Sequence, residues 1–258
     1  MTPVRLDGLL VDIEGVLAVG WEPVPGAVDA LAQLRRRGVP LRLVTNTTSR
    51  TRRGVADSLT RAGFDIGADD VLSAPAATGA YLRRSHPGAR CFLVNHGDLS
   101  EDLEGITLVD ADADVVVLGG AGPEFDHERM NRAFTMLLQG APLVAMHRGL
   151  SWRTARGFEL DTGAYVAALE AASGVKATVV GKPEAAFFEE ARAALGLEAD
   201  RVAMVGDDIE NDVLAAQACG MHGILVRTGK FRPEWLADAP GAPDVVLDSF
   251  ADVPGLVG

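Results

Sequence analysis

Two cysteines in 258 residues, Cys91 and Cys219, are too few and too far apart for a disulfide scaffold. No Cys-x-x-Cys spacing exists to hold a structural zinc, so they read as two reduced, partly buried thiols. Long low-complexity tracts, internal repeats and bilayer-spanning apolar stretches are lacking as well. The N-terminus lacks the basic-then-apolar pattern of a secretory signal, so the expected location is the cytoplasm. Net positive charge is missing too: the formal charge is −12. That argues against nucleic acid and anionic membranes as partners. It also repels small anions at long range, so a phosphate site would need its own local cations. The five histidines form no pair at metal-ligand spacing. Neither a Gly-x-Ser-x-Gly elbow nor a P-loop occurs.

What the chain does have is 48% hydrophobic residues and alternating strand and helix signals. Leu9 to Val11 reads as a strand. Val24, Val28, Leu31 and Leu34 then share a helical face, with Pro25 near the start and Gly38 past the end. Leu41 to Val44 is the next strand, and Val55, Leu59 and Ala62 mark a second helix. This order implies right-handed crossovers and a parallel sheet. The C-terminal part repeats the style, with a helix through Phe188, Ala191 and Leu195 and strands at 202–205, 223–226 and 245–247. Ile209, Val213 and Ala216 predict a helix between the first two of these strands. The middle, roughly 74–180, reads as a second α/β unit with strands at 91–94, 106–109, 115–118 and 143–146. Its helix faces run through Met130, Ala133, Phe134, Leu137 and Leu138, and through Ala164, Ala167, Ala168 and Ala171. No flexible linker marks the joins.

Four short segments carry chemistry. Val11-Asp12-Ile13-Glu14-Gly15-Val16 puts one carboxylate at a strand end and a second two residues on. Val205-Gly206-Asp207-Asp208 repeats the arrangement far along the chain. Between them lie Val44-Thr45-Asn46-Thr47 and Gly181-Lys182-Pro183. Ligands of open parallel sheets bind beyond the carboxyl ends of the strands, where Asp12, Thr45 and Asp207 fall. Acid, hydroxyl, lysine and acid are the groups needed for phosphoryl transfer through a carboxylate nucleophile and a divalent metal. Taken singly, each has a plainer reading. Asp207 and Thr45 are good helix caps, and Lys182-Pro183 is an ordinary helix start.

Together these segments resemble the four ordered motifs of the haloacid dehalogenase superfamily. The insert between the second and third motifs is similar to its C2-capped, type IIA branch. The resemblance covers nearly the whole chain. It implies a doubly wound, Rossmann-like α/β core at 1–74 and 181–258, with an α/β C2-type cap at 75–180. It also implies a magnesium-dependent phosphatase that hydrolyses a small phosphorylated metabolite through an aspartyl-phosphate. Asp12 is then the nucleophile. Mg2+ falls to Asp12, the backbone carbonyl of Glu14 and Asp207. The Thr45 hydroxyl and the backbone around Asn46 and Thr47 meet the phosphate, and Lys182 neutralises charge. Asp208 and Asp212 orient ligands or pair with Lys182. Cap loops select substrates, and Asp161 stands ready for an amine on the leaving group. Caps of this type often pair, which points towards a homodimer through the cap.

Glu14 is the departure from pattern. Most phosphatases of the superfamily carry Asp there as general acid and base, and glutamate reaches about 1.5 Å further, one C–C bond. One branch of the superfamily also shows Asp-x-Glu-Gly, so Glu14 is expected to serve as the acid/base. The alternative is a catalytically impaired phosphate- or metabolite-binding protein. Dehalogenation is disfavoured, because Glu14, Lys182 and Asp207 build a site that such chemistry does not need. Arg50, Arg52 and Arg53 near a helix start read first as solvated surface. Arg35, Arg36 and Arg37 at a helix end need no function. Gly119-Gly120-Ala121-Gly122 lacks the glycine spacing of a dinucleotide loop.

Overall fold

A computed structural model describes residues 6–154 and 157–257, and it is an α/β protein with two parallel sheets. The residues divide into two compact units. One holds the described chain up to Thr45, Arg52–Leu72 and the chain from Lys182 onward; the other holds Asn46–Thr51 and Ser73–Gly181. No helix among the described residues is long and apolar enough to cross a membrane.

The sheet of the first unit runs Val245–Leu247, His222–Val226, Val202–Gly206, Gly8–Asp12, Leu41–Thr45, Val71–Ser73. Gly8–Asp12 and Val202–Gly206 are its central pair, parallel and in register from Gly8 opposite Val202 to Val11 opposite Val205. Every residue of both is buried, which is why they read as unbroken apolar runs rather than as alternating ones. From Gly8–Asp12 the chain winds outward on one side, and from Val202–Gly206 it winds outward on the other. The order therefore reverses between these two strands, and the carboxyl ends there flank a crevice. The helix Ala27–Arg36 buries Ala27, Ala30, Leu31 and Leu34 in the main apolar cluster. It starts later than Val24 and Pro25 suggest, after Gly26 at φ 80°. Arg35 pairs with Asp70 at 2.6 Å, and Arg37 donates to the carbonyls of Pro254 and Val257, so both serve the scaffold.

The second unit carries a parallel sheet in the order Ala177–Val179, Leu143–Ala145, Val115–Leu118, Arg90–Val94, Thr107–Leu108. The predicted strand at 106–109 shrinks to two exposed residues at the sheet edge, where no second neighbour extends it. Helices His127–Leu138 and Thr162–Ser173 supply Ala133, Met136, Leu137, Val166 and Leu169 to one cluster with Phe92, Val116 and Leu143. Asp161 caps the second of these helices, accepting the Thr162 N–H at 2.8 Å. The glycines at 119, 120 and 122 answer to crowding. Cβ atoms there would stand 2.1 Å from Asn95 Oδ1, 2.3 Å from Thr48 Oγ1 and 2.6 Å from His96 Cβ. His147 is buried beside the Thr162 hydroxyl at 3.3 Å, a core histidine.

Candidate active site

Three buried carboxylates and one buried lysine meet at the carboxyl rim of the first sheet. Asp12 is the last residue of its strand, and Asp207 follows Gly206 on the neighbouring one. They lie on either side of the point where strand order reverses. Thr45 ends the strand on the other side of Asp12 and is buried as well. Lys182 Nζ stands 2.7 Å from Asp12 Oδ1 and 2.7 Å from Asp212 Oδ1. Asn46 and Thr47, next in the chain after Thr45, group with the second unit, as does Arg50. Arg52 and Arg53 open the helix Arg52–Arg61, which has no acidic residue in its first turn.

The segment after Asp207 departs from the predicted α-helix. Ile209–Leu214 is π-helical, and the N–H groups of Asp212 and Val213 both reach the Asp208 carbonyl, at 3.1 and 3.3 Å. This wide turn carries Asp212 back against the strand it has just left. A Cβ on Gly206 would stand 2.3 Å from Asp212 Cβ, so only glycine permits the approach. Helix capping falls to Asp208, whose Oδ1 accepts from the N–H groups of Glu210 and Asn211 at 3.2 and 3.0 Å. Asp207 is thereby released from the capping role that the bare sequence allows it. Asp212 is the member of the site that pairs with Lys182, whereas Asp208 sits 3.8 Å from Lys230 Nζ.

Charge at this rim is unbalanced. Burial, with Asp12 and Asp212 adding to it, pushes Asp207 up to about 8. Burial also pushes Asp212 up to about 7, against the pull of Lys182. Burial alone would lower the Lys182 ammonium, but Asp12 and Asp212 outweigh it and hold it above the ordinary lysine range. Asp12, Asp207 and Asp212 offer oxygens that all lie within 4.8 Å of one another. Asp207 Oδ1 is buried and has no hydrogen-bond partner among the described residues. An orphan carboxylate oxygen in an excess of buried negative charge suits a hard, oxygen-liganded cation such as Mg2+.

The sign of the resulting pH dependence follows directly. Asp207 and Asp212 hold protons in the folded state to about 8 and about 7, well above their ordinary value of 3.8. The folded protein thus binds more protons than the unfolded chain across that interval. Metal-free protein should lose stability as pH rises through it. A divalent cation held by these carboxylates would take the protons' place, and Mg2+ is then expected to raise Tm more at pH 8 than at pH 6. Scanning calorimetry with Mg2+ and with EDTA at both pH values checks this, and equal Mg2+ shifts at the two would contradict it.

Glu14 lies differently. Its side chain reaches solvent, and Oε1 accepts the Gly20 N–H at 3.0 Å, within the small hairpin Ala18–Val19 and Glu22–Pro23. Crowding around the carboxyl raises its pKa above the usual glutamate range, opposed by the Gly20 N–H and assisted by Asp12. Sequence reasoning assigned no role to the turn Thr228-Gly229-Lys230. Yet the Lys230 N–H donates to Asp207 Oδ2 at 2.6 Å. Its sequence signal is the Thr-Gly-Lys run, separated by one residue from the strand His222–Val226.

Residues 9–108 match the haloacid dehalogenase-like hydrolase family, and residues 179–253 match the HAD-hydrolase-like family. The chain is 41% identical over 245 residues to human haloacid dehalogenase-like hydrolase domain-containing protein 2, covering 95% of this chain and 93% of that protein. It is 38% identical over 251 residues to human phospholysine phosphohistidine inorganic pyrophosphate phosphatase, covering 95% and 90%. Its fold is similar to that of p-nitrophenyl phosphatase from Archaeoglobus fulgidus, with a TM-score of 0.92, 31% identity and coverage of 98% and 100%. With carboxylates, lysine and threonine on one sheet rim and likeness along nearly its whole length, the chain belongs to the haloacid dehalogenase-like hydrolases.

Proposed function

We propose that this protein is a magnesium-dependent phosphatase that hydrolyses a small phosphorylated metabolite through an aspartyl-phosphate. The observation that carries the proposal is the buried Asp12–Lys182–Asp212 chain beside an Asp207 oxygen that has no hydrogen-bond partner among the described residues. Phosphatase names among the relatives support the same reading. Asp12, Asp207 and the carbonyl of residue 14 are the groups to hold Mg2+, with Asp212 tied to Lys182. When bound, the ion offsets repulsion between the nucleophile and the phosphate dianion.

The remaining chemistry belongs to the side chains. An Asp12 carboxylate oxygen attacks phosphorus, and the bond from phosphorus to the leaving oxygen breaks. Glu14, whose pKa is raised by burial and by Asp12, is the group proposed to give that oxygen a proton. As a carboxylate it then takes a proton from water, whose oxygen attacks phosphorus and releases inorganic phosphate and Asp12. Lys182 holds Asp12 by one oxygen and so limits which one is free to attack. The Thr45 hydroxyl is the phosphate-binding group proposed beside Lys182.

Phosphate release from a panel of small phosphoesters and phosphoramidates, with and without Mg2+, tests the proposal. Mg2+-dependent release from at least one compound is expected. No release from any compound, with a phosphate analogue still binding, would turn the reading to a metabolite-binding protein. Glu14→Gln isolates the acid/base step, because the amide oxygen still accepts the Gly20 N–H. It should lower kcat by about 10²-fold and flatten the pH profile. An unchanged profile would remove Glu14 from that role.

A further inference from the structure

The Asp207 carboxylate is held from an unexpected direction. Lys230 donates its backbone N–H to Asp207 Oδ2 at 2.6 Å. Two residues earlier the Thr228 hydroxyl donates to the Gly15 carbonyl at 2.5 Å. One three-residue turn therefore ties the strand-end aspartate to the loop that follows Asp12. Gly229 lies between the two bonds at φ 60°, facing Gly15 at φ 88°. A Cβ on Gly229 would stand 2.0 Å from Asp207 Oδ2 and 2.4 Å from Gly15 Cα. A Cβ on Gly15 would stand 1.9 Å from the same oxygen. Three segments distant in sequence thus meet where neither glycine can carry a side chain.

The turn is anchored at its far end. The Phe231 N–H returns to the Thr228 carbonyl at 3.1 Å, and the Phe231 ring packs against the cluster of Ile209, Val213 and Leu225. That cluster includes the π-helical segment which carries Asp212. The turn accordingly shares its support with the segment bearing a second carboxylate of the site.

We propose that Thr228-Gly229-Lys230 is a positioning latch for the metal-binding carboxylate. By engaging Oδ2 with a backbone N–H, it leaves Oδ1, buried and without a partner among the described residues, as the oxygen for the cation. By engaging the Gly15 carbonyl, it fixes the loop whose preceding carbonyl, at residue 14, is the one backbone ligand proposed. Partners of this kind orient metal ligands, and disturbing them weakens metal binding without removing a ligand. The inference rests on the reading that the acidic cluster holds a divalent cation.

Binding of Mn2+ to the full-length protein, followed by electron paramagnetic resonance, tests the latch without reference to turnover. Gly229→Ala should bind Mn2+ about 10–100-fold more weakly than wild type, with metal-free Tm reported alongside. Thr228→Val, which removes only the hydroxyl bond, should weaken binding by a smaller factor. Thr228→Ser should restore wild-type affinity. Wild-type Mn2+ affinity in folded Gly229→Ala and Thr228→Val, with affinity lost in Asp207→Asn, would overturn the latch and leave the metal site standing. Should Gly229→Ala fail to fold, the Thr228 pair decides: a loss in Val that Ser does not share supports the latch, and equal affinities overturn it. Wild-type affinity in Asp207→Asn would overturn the metal reading itself, and the latch with it.

Discussion

Asp12→Asn should abolish phosphate release from any small phosphoester that the wild type hydrolyses, with kcat falling by about 10⁴-fold or more. The amide cannot form an acyl phosphate under these conditions, so the loss falls on the chemical step. Little structural change is expected, because asparagine keeps an oxygen that can accept from Lys182 Nζ, now 2.7 Å from Asp12 Oδ1. The substitution has a second, separable signature. Asp12 contributes to the raised pKa values of both Asp207 and Asp212. Removing its charge should bring both down, and the fall in metal-free stability towards pH 8 should become shallower. Steady-state assays and calorimetry on one preparation read the two effects. Retained turnover would end the nucleophile assignment; an unchanged pH slope would end the electrostatic one.

Lys182→Met should have the largest effect on stability. Lys182 is buried and within 2.7 Å of two buried carboxylates. Breaking a buried ion pair by removing one partner costs about 3–5 kcal/mol, because the remaining charge stays desolvated. Here the remaining charges are several carboxylates, which can escape the penalty only by binding protons. Lys182 opposes the upward shift of Asp212, so without it the folded-state pKa of Asp212 should rise further. The folded form would hold more protons than the unfolded chain over a wider range, and stability should fall more steeply as pH increases. Urea unfolding should show a modest loss at pH 6 and a large one at pH 8, with Mg2+ recovering part of the latter. Activity should drop by about 10²–10³-fold, the usual cost of deleting one preorganised charge-stabilising group. Unfolding midpoints equal to wild type at both pH values would show that Lys182 does not carry this balance.

Much of the frame is legible in the residues. Leu9-Leu10-Val11 and Val202 to Val205 announce central strands because a strand buried on both faces must be apolar throughout. Gly38 marks a helix end because its φ of 70° suits glycine best. Asp12, Thr45 and Asp207 are legible as site candidates for a related reason: a polar residue at the end of a buried strand has no packing purpose there. Lys182 gains meaning only from its place in the order of motifs. The small hairpins and the short helix Pro233–Asp238 carry too few residues for any period to show.

Composition and apolar periodicity by themselves determined an α/β chain with polar groups at strand ends, and the resemblance of its ordered motifs pointed to a haloacid dehalogenase-like hydrolase. They also determined which four segments supply those groups. Tertiary structure decided how the carboxylates divide their work. Asp208 takes the helix cap, Asp212 returns through a π-turn to share Lys182, and Asp207 is held by a turn more than twenty residues further on. The Asp208 cap is local, but no local pattern encodes the other two choices, because each depends on backbone coming closer than a side chain allows. Gly206 against Asp212, and Gly229 against Gly15 and Asp207, are glycines whose necessity appears only once distant segments have packed.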